Sequence, residues 1–256
     1  MSTVLALVGA RGGVGRSEIA SVFARAVAQT GTSVAVIDAH EGEGPVGMLL
    51  GIDPHDTHER LPAWAAAVAD GPIGNEGLLH SMVATSPDGV GLVRGAFGFG
   101  WTLEHPAWMD NIIQSVQAVY AVVVIVCPPM ATAATLGALR TAGIIVLVTD
   151  PSTAGLHQTA QFLALLQEEK RPPAGVLITC PHAEVVPDRG VVAELLGCSV
   201  LGVVPFDRTL AIAAPPRALD GPFARSVRVA LDPMVPGIAP ATPRAWWRRR
   251  SRGRGA

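Results

Sequence analysis

The stretch from Ala10 to Ser17 has the residue types and spacing most suited to chemistry, and it reads Ala-Arg-Gly-Gly-Val-Gly-Arg-Ser. Its glycines allow consecutive backbone N–H groups to turn toward one anion, and a helix starting behind them adds partial positive charge. A basic side chain at 16 then reaches outer phosphates, and the hydroxyl at 17 ligates Mg²⁺. The pattern predicts nucleotide contacts from Gly12, Gly13, Val14, Gly15, Arg16, Ser17 and Glu18.

A phosphate loop requires a strand before it and a helix after it, and the sequence predicts both. Residues 3–8 form a short apolar run, typical of a strand. After the loop, apolar residues recur with the i, i+3, i+4 spacing of one helix face, and Gly31 ends the pattern. The residues of this face are Ile19, Val22, Phe23, Ala26 and Val27.

Along the rest of the chain, short apolar runs alternate with helical patterns. This alternation predicts an α/β fold with a mostly parallel sheet of seven or eight strands, helices on both faces, and a ligand site at the carboxyl edge of the strands. The predicted strands are 3–8, 33–38, 91–94, 121–126, 144–149, 175–179 and 200–204. After the loop helix, the predicted helices are 59–69, 108–118, 133–142, 153–169, 191–196 and 223–231.

Composition and charge divide the chain into a folded part and a tail. The 256 residues are 49% apolar and 16% charged, which suits one Ala/Val/Leu-rich domain and argues against disorder. The last fourteen residues hold six arginines and no acid, so a net charge of −2 leaves the remainder at −8. An acidic body is a poor general binder of nucleic acid, and we do not expect nucleic acid as a partner. We predict a phosphate-loop domain over 1–232 and a Pro/Arg-rich flexible tail over 233–256.

The cysteines and hydropathy predict a cytoplasmic protein. Cys127, Cys180 and Cys198 are far apart and odd in number, which favours reduced thiols over a disulfide frame or a metal site. The first residues lack the basic region of a leader peptide, and no run of eighteen apolar residues occurs.

The loop resembles the deviant phosphate loop of the ParA/MinD family of ATPases, with arginine at both positions, 11 and 16, where that family has lysine. The similarity continues through most of the chain. It includes a second strand ending in Asp38, a strand followed by Pro128 and Pro129, and the segments 48–54, 148–151 and 204–207.

This resemblance implies bound ATP or ADP with Mg²⁺ and a face-to-face homodimer. Asp38 would be the switch carboxylate and, with Ser17, a metal ligand. Arg11 would take the place of the signature lysine, which reaches the partner's nucleotide. Pro205 and Asp207 would lie near the adenine, and Arg11 and Asp38 are the predicted catalytic residues.

Several positions depart from the family pattern where chemistry depends on them. Arg16 replaces the lysine that contacts the outer phosphates, and arginine binds phosphate with a larger, planar group. His40 replaces a water-positioning carboxylate, and Val126 replaces the carboxylate that organises the metal shell. Thr179 stands where the family often uses Asn to read adenine. We therefore expect very slow or absent hydrolysis and weakened nucleotide binding; alternatively, Asp38 and Ser17 alone hold Mg²⁺ and a slow ATPase remains.

Within the family, residues 78–94 resemble the CpaE/TadZ branch, which includes actinobacterial septum-site-determining proteins. The resemblance implies a localisation scaffold that docks a pilus-assembly, secretion or division partner. The alternative is an active ATPase that cycles between a membrane- or DNA-bound dimer and a free monomer.

Two segments allow more than one interpretation. The tail places Trp246 and Trp247 beside arginines, which suits peripheral contact with the inner face of the cell membrane through 244–254, as in MinD-like proteins. A solvated tail or nucleic-acid contact are the alternatives. Likewise His55 and His58 have the spacing of a metal-binding pair, but a solvated loop leading into the next helix, with Asp56 or Thr57 as its N-cap, explains them more simply.

Overall fold

A computed structural model describes residues 2–40, 44–53, 55, 56, 58, 60–95, 105–129, 131–180, 188–207 and 219–238. The strands in these ranges are β1 (Thr3–Val8), β2 (Val34–Asp38), β3 (Ala84–Thr85), β4 (Gly91–Val93), β5 (Val122–Val126), β6 (Ile144–Thr149), β7 (Gly175–Thr179) and β8 (Val200–Val204). The helices are α1 (Arg16–Ala28), α2 (Val46–Leu49), α3 (Leu61–Ala67), α4 (Glu76–Met82), α5 (Pro106–Gln117), α6 (Ala133–Thr141), α7 (Thr153–Glu168), α8 (Arg189–Leu196) and α9 (Pro222–Leu231).

The eight strands form one sheet in the order β3-β4-β2-β5-β1-β6-β7-β8. Only the pairing of β3 with β4 is antiparallel, so the predicted fold class is confirmed. Because β1 lies between β5 and β6, the loop that follows β1 meets the ends of both neighbours. In register, Val126 of β5 stands beside Leu7 of β1 and beside Asp38 of β2.

Apolar layers cover both faces of the sheet, which explains why its strands lack polar alternation. On one face α1 and α9 contribute Phe23 and Val227. On the other, α3 and α5 contribute Trp64 and Ile113. Every residue of β5 is buried, so position 126 lies in the core and not on a surface.

The helix and strand predictions hold, with no predicted end displaced by more than two residues, although residue 59, the predicted start of α3, lies outside the described residues. Three short elements, α2, α4 and β3, were not predicted. Four residues of α2 and two of β3 are too few to show a period. The predicted cap of α3 at Asp56 is wrong, since Arg60 holds that position; Thr57 is not described.

The folded chain continues beyond the predicted boundary at residue 232. A 3₁₀ helix spans Asp232–Met234, and Val235 and Ile238 pack into the apolar layer that contains α1 and α9. The proline signal at 233 was misleading because proline suits the first turn of a helix. Residues 239–256, including the Trp/Arg segment 244–254, lie outside the described residues. None of the described helices is long and apolar enough to cross a membrane.

Candidate functional site

The loop after β1 is curled, and its backbone faces open space. Gly13 and Gly15 have φ of 73° and 86°, in the left-handed region that glycine adopts without strain. A Cβ added at Gly12 or Gly13 would meet nothing within 4 Å. Helix α1 begins at Arg16, and no side chain caps its amino end. The N–H groups of its first turn therefore remain available to an anion, as the sequence predicts.

Arg16 lies across the base of this loop and not out in solvent. The residue is 5% exposed, and its Nη1 donates a hydrogen bond of 2.8 Å to the carbonyl oxygen of Gly9. Burial lowers the pKa of the Arg16 guanidinium, while the nearby Cys127 and Glu18 act in the opposite direction. A buried cation of this kind gains most from an anion in the loop.

Arg11 contacts residues of its own chain at the end of β6. Its Nη1 lies 3.2 Å from Asp150 Oδ2 and donates a bond of 3.2 Å to Ser152 Oγ. The Ser152 hydroxyl also caps α7 by accepting from the N–H of Gly155. The Arg11 side chain remains 41% exposed, so it lies at the surface of the site.

Asp38 ends β2 and is 2% exposed. Its Oδ1 lies 2.6 Å from His40 Nδ1 and accepts a longer bond of 3.3 Å from the His40 N–H. A Cβ added at Gly44 would lie 2.9 Å from Oδ1 and closer still to Oδ2. Asp38 is thus held by residues of its own segment.

Val126 occupies the end of β5 beside Asp38, fully buried and without a side-chain oxygen. Cys127 follows it, and burial raises the pKa of this thiol to about 12 although Arg16 opposes the shift. The Cys127 thiol is therefore protonated at neutral pH, and its soft sulfur is a poor match for Mg²⁺. Mg²⁺ prefers oxygen ligands, so among the predicted residues the Ser17 hydroxyl and the Asp38 carboxylate would hold it. This set fits the ion with one carboxylate fewer than the family pattern.

A cavity of about 140 Å³ opens beside the loop and brings together residues from distant parts of the chain. Six predicted residues line it: Gly13, Val14, Gly15, Glu18, Pro205 and Asp207. Sequence reasoning missed the apolar walls, because Val204 was known only as a strand end and Phe223 as a helix start. The full lining adds Thr179, Cys180, Val204, Phe206 and Phe223. The wall is mostly apolar, as suits a planar base.

Not every predicted site residue lines this cavity. Gly12, Arg16 and Ser17 belong to the loop and the first turn of α1, Arg11 belongs to the same loop, and Asp38 is the last residue of β2. All of them nevertheless lie at or just after the carboxyl ends of β1 and β2, where the sheet topology places a ligand.

The histidine pair at 55 and 58 shows no metal geometry. His58 Nδ1 lies 2.7 Å from Asp56 Oδ1, and the His55 N–H donates to Asp53 Oδ1. Within the described part of the chain, no group of three or more His, Cys, Asp or Glu is placed to hold a metal ion. All three cysteines are described, and none of them is joined in a disulfide.

Comparison with known proteins decides the family. The profile of the AAA domain family matches residues 2–173. The chain is 24% identical over 214 residues to an uncharacterised ATP-binding protein of Methanocaldococcus jannaschii, covering 81% of this chain and 75% of the relative. Its fold matches the septum site-determining protein MinD of Pyrococcus horikoshii, solved with Mg-ADP, at a TM-score of 0.71 and 18% identity, over 89% of this chain and 93% of the other. It matches a ParA family ATPase of Chlorobium tepidum at 0.73 and 19%, over 88% and 96%.

The chain belongs to the ParA/MinD-like P-loop ATPases. In this family the curled stretch at 10–17, which leads into α1, corresponds to the phosphate loop. Val126 is the last residue of β5.

Proposed function

We propose that this ParA/MinD-like protein binds ATP or ADP with Mg²⁺ and acts as a positioning factor of the CpaE/TadZ or septum-site type, with weak or absent hydrolysis. The single observation that carries the proposal is the pairing at two strand ends. A buried valine stands at 126, where a carboxylate would organise the metal, and its neighbour Asp38 is bonded to His40.

Nucleotide binding is supported by the loop backbone and the adjacent cavity. The amino end of α1 is uncapped, and Arg16 is buried within reach of the loop carbonyls. The same cavity is lined by loop residues and by Pro205 and Asp207, and its mostly apolar wall suits a base attached to loop-bound phosphates. The ATP-binding relative and the Mg-ADP complex of MinD support the same ligand class.

Weak hydrolysis follows from how phosphoryl transfer is catalysed. The protein contributes positioning and charge stabilisation, both of which depend on a fixed metal and an oriented water. Val126 offers the metal no oxygen, and His40 binds the carboxylate that remains. Loss of single groups of this kind commonly lowers the rate by about 10²–10³-fold. Nucleotide affinity is weakened for the same reason, because the metal bridges protein and phosphates.

A scaffold needs partners, and we propose a homodimer in which the exposed Arg11 faces a second copy. The dimer would dock a protein of the pilus-assembly, secretion or division machinery.

We propose that the protein lies in the cytoplasm and contacts the inner face of the cell membrane through residues 244–254. Co-sedimentation with anionic liposomes, with and without residues 244–256, tests this contact; unchanged partitioning after removal of the tail refutes it.

The second candidate is an active ATPase that cycles between a membrane- or DNA-bound dimer and a free monomer. It is favoured by Arg11, Ser17 and Asp38, which retain the charge and oxygen groups of the family. Calorimetry with ATP and ADP, with and without Mg²⁺, tests binding; phosphate release tests turnover. Turnover matching an intact ParA-type enzyme and abolished in Ser17→Ala would refute the scaffold proposal and support this one.

A further inference from the structure

Thr179 ends β7 directly under the phosphate loop. The residue is 7% exposed, and its Oγ1 lies 2.9 Å from the carbonyl oxygen of Val14 and 3.1 Å from that of Thr149. It thereby joins the ends of β6 and β7 to the loop, although its two partners lie 30 and 165 positions earlier in the chain.

The Thr179 methyl group lies beside the same part of the loop. A Cβ added at Gly15 would lie 3.5 Å from Thr179 Cγ2. Gly15, with φ of 86°, is the residue that turns the loop into α1. One side chain therefore holds Val14 by a hydrogen bond and occupies the space next to Gly15.

The hydroxyl proton of Thr179 is already used within the protein. A threonine hydroxyl has one proton to donate, and both neighbouring carbonyl oxygens can only accept. An amide side chain reads adenine by donating and accepting at once. Thr179 has no second donor for such a contact, although it lines the cavity that a base would occupy.

We propose that Thr179 is a positioning residue that fixes the phosphate loop in its anion-binding shape and does not read the base. This inference rests on the proposed nucleotide binding and deepens it. The hydroxyl holds the Val14 carbonyl away from the anion, so that the N–H groups of the loop converge without reorganisation when phosphate arrives.

The decisive probe is tripolyphosphate, which has the anionic chain of ATP and no base. Calorimetry on the full chain, with Mg²⁺ present, compares tripolyphosphate and ATP in the wild type and in Thr179→Val, which keeps the shape and removes the hydroxyl. We expect Thr179→Val to weaken both ligands by a similar factor of about tenfold, the loss of one buried hydrogen bond. Thr179→Ser, which keeps the hydroxyl, should stay within about threefold of the wild type for both.

The two roles give opposite results for the probe without a base. If Thr179→Val weakens ATP but leaves tripolyphosphate unchanged, the residue reads the base and the proposal is wrong. Unchanged binding of both ligands also overturns it. If Thr179→Val does not fold, Thr179→Cys provides a second variant of similar size. Its thiol is a weaker donor than a hydroxyl, so Thr179→Cys should bind tripolyphosphate less tightly than Thr179→Ser does. An affinity equal to that of Thr179→Ser contradicts the proposal.

Failure of the proposed function has a different signature. A folded wild-type chain that binds neither tripolyphosphate nor ATP refutes nucleotide binding itself, and the role of Thr179 with it. The anchoring role alone is refuted if the wild type binds both ligands and the Thr179 variants give one of the contradicting results described above.

Discussion

His40 Nδ1 lies 2.6 Å from Asp38 Oδ1 at the end of β2, so the carboxylate that the family pattern assigns to the metal is bonded to a side chain two residues away. Asp38 is almost completely buried, and the space beside Gly44 is so tight that an added Cβ would clash with the carboxylate. A ligand that needs Asp38 Oδ1 must compete with His40 for it. The competition predicts how the chain responds to Mg²⁺.

Replacing His40 by alanine should make nucleotide binding more dependent on Mg²⁺. The substitution frees Asp38 Oδ1 without touching the loop, and the ion no longer competes with the imidazole. We expect Mg²⁺ to strengthen ATP binding in His40→Ala by about tenfold more than in the wild type, the equivalent of a hydrogen bond to a charged group. Calorimetry with and without the ion measures both values.

The chain contains a matched control for this substitution. His58 contacts Asp56 with the same two-residue spacing and a distance of 2.7 Å, in the segment before α3. His58→Ala removes an equivalent pair and should leave the Mg²⁺ dependence unchanged. Equal effects of the two variants would show that the His40 contact has no special relation to the metal.

Restoring a carboxylate at position 126 should destabilise the protein in the absence of ligand. It should also make the stability of the protein depend on bound Mg²⁺ and ADP. In Val126→Asp the new group is buried in register with Asp38, and an unpaired buried charge costs about 3 kcal/mol of unfolding free energy. Mg²⁺ with ADP should recover most of this loss. Urea unfolding with and without the ligand measures it, and Val126→Thr, uncharged and similar in size, should show no such recovery.

The double variant His40→Asp with Val126→Asp should hydrolyse ATP faster than the wild type. It returns both family carboxylates, one for the water and one for the metal shell, so phosphate release should rise at least about tenfold above the wild type. The added turnover should disappear when Ser17→Ala is introduced as well. A double variant as slow as the wild type, yet folded and binding nucleotide, would place the hydrolytic defect elsewhere, with Arg16 the first residue to test.

Much of this site could be predicted from sequence because its signals are local. Three glycines between an apolar run and an amphipathic pattern predict a curled loop and its helix, and Val126 follows from the end of a continuous apolar run. The side-chain contacts that hold the loop and Arg11 in place join residues far apart in the sequence. Thr179 meets Val14 and Arg11 meets Asp150 only because β1 lies between β5 and β6, with β7 next in the sheet.

The same distinction explains the parts of the cavity that were missed. Pro205 and Asp207 follow a recognisable strand end, whereas Phe223 reaches the cavity from the first turn of α9. Nothing in the residues around 223 points to a ligand, because the packing of α9 on β8 and α1 decides its position. Thr179 was noted as a base-reading position, and only its distances to two carbonyls indicate another role.

Thiol labelling offers a measurement of cavity occupancy that does not depend on turnover. Burial raises the pKa of both Cys180 and Cys198, so both react slowly at about pH 8. Cys180 lines the cavity, whereas Cys198 lies outside it. We expect ATP to slow labelling of Cys180 further and to leave Cys198 unaffected, with mass spectrometry identifying the sites.

Cys127 is a control for unfolding, because burial raises its pKa to about 12 and it should react only when the protein unfolds. Protection of Cys198 to the same degree would indicate general stiffening and would not locate the nucleotide.

Arg11 should matter for association and hardly at all for folding. Its ion pair with Asp150 involves a side chain that is 41% exposed, and exposed pairs contribute less than about 1 kcal/mol to stability. Arg11→Ala should therefore unfold at nearly the wild-type urea concentration, while any ATP-dependent dimer seen by light scattering should be lost. Asp150→Asn is the informative companion, because it releases Arg11 from its own chain and should favour the dimer. A dimer that persists in Arg11→Ala would exclude this residue from the interface and leave its contacts with Asp150 and Ser152 as its whole role.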